Sequence, residues 1–134
     1  MLEILAIDHI VLRTTKLNEM LEFYIKVLSC TIERETPEET GLTQLRAGNA
    51  LIDLVVVNSR LGAIGGGAPT KKERNVDNFC LQIKSMPELD ILNHLKKYGI
   101  KVGEFTSRYG AQGSGNSIYI EDPEGNGVEL RCQI

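Results

Sequence analysis

Ser117-Ile118-Tyr119-Ile120-Glu121-Asp122-Pro123-Glu124-Gly125-Asn126-Gly127-Val128-Glu129-Leu130 carries two strand patterns around a turn. Alternating runs on either side of Asp-Pro-Glu-Gly-Asn predict two strands, Asn116 to Glu121 and Gly127 to Gln133, joined by a turn. Gly48-Asn49-Ala50-Leu51-Ile52-Asp53-Leu54, roughly 75 residues earlier, repeats the second half of this pattern with one extra residue. The match continues outward. Asp8-His9-Ile10 falls against Asp77-Asn78-Phe79, and Leu28-Ser29-Cys30 against Tyr98-Gly99-Ile100, each about 70 residues on. A period this long means a duplicated module and not a short-repeat solenoid.

Within each copy the periodicity gives strand-helix-strand-strand-strand. The first copy predicts a strand over Leu5 to Thr14 and a helix over Leu17 to Leu28, with Thr15 as a candidate cap. Strands Cys30 to Glu35, Leu42 to Ala47 and Ala50 to Val57 follow, the last two joined by a Gly48-Asn49 hairpin turn. The second copy predicts a strand over Asp77 to Lys84. A helix over Pro87 to Tyr98 follows, using Leu89, Leu92 and Leu95 and ending at Gly99, and then a strand over Ile100 to Thr106. Between the copies, Asn58 to Asn75 is glycine-rich and without period, a long loop. The fold class is α+β. One domain spans 1–134, with module one about 1–57, the loop 58–75 and module two about 76–134.

Composition narrows the function. The chain is 134 residues, 42% hydrophobic and 25% charged, enough for a real core and unlike a disordered or collagenous sequence. Its longest apolar run, Ala50 to Val57, is broken by Asp53 and is too short for a bilayer. A net charge of −3 offers no basic face to a phosphate backbone, so neither nucleic acid nor membrane is an expected partner. Cys30, Cys80 and Cys132 are odd in number, widely spaced and expected to be buried, a pattern that suits neither zinc nor disulfides. With no signal-peptide pattern at Met1-Leu2-Glu3-Ile4, a cytoplasmic address is the expectation.

Few residues could carry chemistry. His9, mid-strand between apolar neighbours, is either a satisfied core histidine or an inward-facing ligand or base. Glu129 differs in parity from Val128 and Leu130, so it is either an exposed strand carboxylate or one facing a site. Asp53, its counterpart, is costly in so apolar a strand unless it is paired or coordinating. Asn78, the counterpart of His9, is a poor transition-metal ligand but suits a hydrogen bond or a harder ion. Tyr119 is either packed or an inward hydrogen-bond donor. Arg108, beside the glycines of 110–115, could hold a substrate carboxylate. His94 reads as a surface histidine.

These segments, together with Asp8-His9-Ile10-Val11-Leu12 and Phe23-Tyr24-Ile25-Lys26-Val27-Leu28, resemble the vicinal oxygen chelate superfamily over nearly the whole chain. That superfamily includes glyoxalase I, extradiol dioxygenases, fosfomycin-resistance transferases and bleomycin-resistance proteins. Arg108-Tyr109-Gly110-Ala111-Gln112-Gly113 is similar to a glyoxalase-domain subgroup of unassigned substrate. The resemblance implies paired βαβββ modules in a U-shaped mixed sheet around a groove. It also implies a divalent metal such as Ni, Mn, Mg or Zn, and closure of the exposed sheet edges as a homodimer whose site may draw on both chains. Position by position it makes His9 and Glu129 ligands, puts Asp53 where a first-module glutamate stands, and puts Asn78 where a histidine is expected. The implied activity is a metal-dependent lyase of glyoxalase I type, in which Glu129 or Asp53 moves a proton beside a carbonyl of a small-molecule substrate. The alternative is a non-catalytic, resistance-type binding protein with a degraded metal site.

Overall fold

The computed structural model describes residues 1–134 and divides into two compact units, Met1–Asn75 and Val76–Ile134. In the first, β1 (His9–Thr14) lies parallel to β4 (Ala50–Val56). β3 (Leu42–Ala47) and β2 (Thr31–Glu35) then extend the sheet antiparallel, giving the order β1-β4-β3-β2. The second unit repeats this with β5 (Asn78–Ile83), β8 (Gly127–Cys132), β7 (Gly113–Glu121) and β6 (Thr106–Gly110) in the order β5-β8-β7-β6. Two similar modules, each an open four-stranded mixed sheet with a helix after its first strand, are the architecture that the repeat predicts.

Pairing decides where strands begin and end. The predicted start at Leu5 moves to His9. β4 opens only after the Gly48-Asn49 turn, the last bond of the ladder runs from Leu51 N–H to the Asp8 carbonyl, and Leu5 and Ile7 stay exposed. The predicted strand Ile100 to Thr106 is displaced further. Residues 100–105 are irregular and the strand is Thr106–Gly110, because its only partner is an unexpectedly long β7 that begins at Gly113. Gly110 to Gly115 is therefore part of an ordered hairpin.

The helix expected over Leu17 to Leu28 is α1 (Leu17–Glu22) followed by a π-helical turn, Phe23–Val27. Its N-cap is Lys16 without a side-chain bond, in place of Thr15. At the end of this helix Ser29 adopts φ 60° and Cys30 N–H closes on the Tyr24 carbonyl. Gly99, at φ 71°, ends α3 (Glu88–Lys97) with Ile100 N–H on the Leu95 carbonyl, so the duplicated module repeats its helix stop.

Leu12, Met20, Tyr24, Leu45 and Leu54, all fully buried, form the first core. Each contributes roughly 1.5–3 kcal/mol of burial. Ile91 and Leu95 of α3 join Ile118, Ile120, Val128 and Leu130 in the second. The helix face differs from the expectation: Leu89 is exposed, and Ile91 takes its place.

The segment read as loop between the modules holds a short helix, α2 (Arg60–Ile64), and is organised by Arg13 of β1. The guanidinium donates to the carbonyls of Gly62, Gly66 and Gly67. A Cβ on Gly65 would strike it. The glycines bring backbone carbonyls close enough to satisfy a half-buried cation.

Candidate functional site

Strand register places the chemistry. His9 stands opposite Leu51, and Val11 opposite Asp53. In the second unit Asn78 stands opposite Gly127, and Cys80 opposite Glu129. His9 and Asn78 are therefore equivalent positions, as are Asp53 and Glu129, in agreement with the repeat. Directly opposed residues share a face, so Asp53 shares its face with Gln44, and Glu129 with Tyr119 and Cys80.

In the first unit the Asp53 carboxylate is only 4% exposed. Both its oxygens accept from Gln44 Nε2, at 3.2 and 3.1 Å, while Arg34 Nε donates to Gln44 Oε1 at 2.9 Å. No Lys, Arg or His lies within ion-pair distance of Asp53. A buried carboxylate held by one neutral amide has been desolvated without a counter-charge.

His9 is exposed on the same sheet, with Nδ1 2.7 Å from Asp8 Oδ1. A carboxylate on Nδ1 fixes the tautomer that leaves Nε2 free, the arrangement common behind metal-bound histidines. The Asp8 hydrogen bond raises the His9 pKa above 6.5, with the charge of Asp53 adding to it. The raised value favours the protonated ring, so the free Nε2 lone pair becomes available only as pH rises through it. In metal-free protein the His9 ring should titrate above 6.5, and Asp8→Asn should bring it down towards 6.5. Proton NMR of the imidazole Cε1–H checks this, and identical titrations in the two proteins would contradict it.

In the second unit Glu129 is 8% exposed, so the exposed-carboxylate reading fails. Its one side-chain partner is Asn78, whose Nδ2 donates to Oε2 at a long 3.4 Å. Tyr119 presents its hydroxyl to Arg108 Nε at 3.2 Å, with the guanidinium 5.7 Å from the ring centre. Arg108 and Tyr119 are thus brought together, and Tyr119 stands beside Glu129. His94 is half-buried and tilted against Tyr98.

The cysteines depart from expectation. All three are free, but only Cys30 is buried. Cys80 is exposed on the face of Glu129, yet partial desolvation and that carboxylate push its thiol up to about 11. Alternation in β5 carries this signal, since Cys80 has the parity of Asn78 and not of Phe79. Sequence reasoning also passed over Arg131, which shares the face of Ser117 and lies two residues beyond Glu129.

Within neither unit do three His, Cys, Asp or Glu side chains gather as a metal set. Each unit holds one pair: His9 with Asp53, and Asn78 with Glu129. The donor chemistry of the pairs, one imidazole and otherwise hard oxygens with neither carboxylate in an ion pair, is of the kind that suits a hard divalent cation.

Residues 6–130 match the model of the Glyoxalase/Bleomycin resistance protein/Dioxygenase superfamily. The chain belongs to that superfamily. Among solved structures it is similar to a virulence protein of Salmonella typhimurium (26% identity, TM-score 0.78, covering 99% of this chain and 100% of that one). A lactoylglutathione lyase of Agrobacterium tumefaciens matches at 22% identity and TM-score 0.67, covering 95% and 92% of the two chains. The fosfomycin resistance protein FosX of Listeria monocytogenes matches at 17% and 0.71, covering 98% and 94%. No helix is long and apolar enough to cross a membrane.

Proposed function

We propose that the protein is a metal-dependent enzyme of glyoxalase I type, a lyase or isomerase acting on a small carbonyl-containing or oxygen-rich molecule. The observation that carries this is the matched pair of buried carboxylates, Asp53 and Glu129, at equivalent positions of the two modules and neither in an ion pair. His9 and Glu129 would hold the ion, with Asp53 and Asn78 completing a hard donor set that suits Ni, Mn or Mg better than Zn. When bound, the metal supplies Lewis-acid polarisation of the substrate's oxygens.

One carboxylate cannot be tight ligand and free base at once. Asp53, already accepting from Gln44, and Glu129, weakly held by Asn78, divide those roles. Tyr119 and Arg108 orient the substrate. The chain works as a homodimer, which covers its exposed sheet edges.

The comparison proteins favour the same chemistry, since one is a lactoylglutathione lyase and another a fosfomycin resistance protein. The test is turnover of α-keto aldehydes, with and without glutathione, and of epoxides, by protein loaded with each metal. Metal-dependent turnover of any of these supports the reading, and none with any metal contradicts it. One observation favours a second reading, a binding protein with a decayed site. Asn78 offers its amide N–H to Glu129, as a residue does that has replaced a ligand. That reading gains if the metals do not bind.

A further inference from the structure

Arg131 is a second buried charge on the face of Glu129, and nothing in the proposed metal chemistry uses it. It is 4% exposed, and of its five N–H donors one has a protein acceptor, Nη2 to the Gly113 carbonyl at 2.9 Å. No carboxylate lies within ion-pair distance. The β6–β7 hairpin is shaped around it. A Cβ on Gly110 would strike Nη1, and one on Gly115 would come within 2.7 Å of Nη2. Directly across from Arg131 in the β7–β8 register stands Ser117. Its side chain is fully buried, and its hydroxyl has no hydrogen-bond partner.

A largely buried guanidinium whose spare donors still reach solvent, beside an orphaned buried hydroxyl, can take a shared acceptor. We infer that Arg131 and Ser117 form an oxyanion subsite that takes a carboxylate, phosphonate or phosphate group. The guanidinium fork matches two such oxygens, and the hydroxyl supplies a further donor. The glycines keep the hairpin backbone low enough to leave the guanidinium in place. Positions i and i+2 of a strand lie roughly 6–7 Å apart, so an anion on Arg131 would sit one short molecule's length from Glu129. That link to the substrate rests on the proposed function. The anion site itself rests on the second unit alone.

Metal-free protein separates the two. Inorganic phosphate, methylphosphonate and acetate are titrated at constant ionic strength against a chloride baseline, following the backbone amide NMR signals of Gly113, Gly115 and Ser117. At least one anion is expected to give saturable shifts, and the strongest identifies the oxyanion type. Arg131→Gln should weaken that binding tenfold or more, and Ser117→Ala about threefold. Gly115→Ala keeps the charge but displaces the guanidinium, and should weaken binding comparably to Arg131→Gln. If Arg131→Gln does not fold, Gly115→Ala and Ser117→Ala decide the matter. Shifts that never saturate with any anion, or binding unchanged in the variants that fold, would overturn the subsite. Neither result bears on metal binding.

Discussion

Glu129→Gln is expected to weaken divalent-metal binding by about 100-fold or more and to take metal-dependent turnover with it. The melting temperature should stay within a few degrees of wild type. The size follows from the role: removing an outer partner of a ligand already costs roughly 10–100-fold, and Glu129 would be a ligand itself. The fold should be indifferent because the substitution is isosteric and the carboxylate makes no ion pair. A glutamine oxygen still accepts from Asn78, and a neutral amide avoids the desolvation of a charge that is only 8% exposed. Calorimetric metal titration and thermal melting on the same samples check both halves. A variant that binds metal like wild type removes Glu129 from the ligand set.

Asp122→Ala should do the reverse, costing stability and only thereby activity. Asp122 Oδ1 accepts from the backbone N–H groups of Glu124 and Asn126, and Oδ2 from Asn126 Nδ2, each at 2.9 Å. Asp122 and Asn126 are both buried, so truncation strands three donors away from water. At about 1–3 kcal/mol for each unsatisfied buried group, partly relieved by relaxation, a loss of roughly 3–5 kcal/mol follows. That corresponds to a fall in melting temperature of roughly 10–15 °C for a chain of this size. Asp122→Asn keeps one acceptor and should fall between. A melting temperature for Asp122→Ala within two or three degrees of wild type would show that the turn does not need the side chain.

The contrast between these two acids explains what was legible in the sequence. The Asp-Pro-Glu-Gly-Asn turn is local: its hydrogen bonds run over four residues, and Gly125 takes the positive φ, at 86°, that a tight turn requires. Turn, flanking strands and the repeat of Ala50 to Val56 could therefore be read directly. So could the equivalence of Asp53 with Glu129, because alternation assigns faces once the pairing is fixed. Leu5 to Ile7 and Ile100 to Phe105 alternate as a strand would but join no ladder, and pairing is a non-local property.

The candidate site divides in the same way. Parity already set Glu129 apart from Val128 and Leu130. Its burial, and the lack of any cation within ion-pair distance, depend on what the neighbouring strands bring. Arg131 was missed for a related reason. A single arginine near a chain end reads as surface, and only the glycines of an adjacent hairpin mark it as buried. The close approach of those glycines to a side chain cannot be seen along the sequence.

The proposed function stands on divalent-metal binding that involves His9 and Glu129. Isothermal titration of metal-free wild type and His9→Ala with Ni²⁺, Mn²⁺, Mg²⁺ and Zn²⁺, with elemental analysis of the purified protein, tests it most directly. Near-stoichiometric binding by wild type is expected for at least one of these ions, tightening as pH rises through the His9 titration and lost in His9→Ala. Binding of none of the four ions by wild type, or equal binding by His9→Ala, would contradict it.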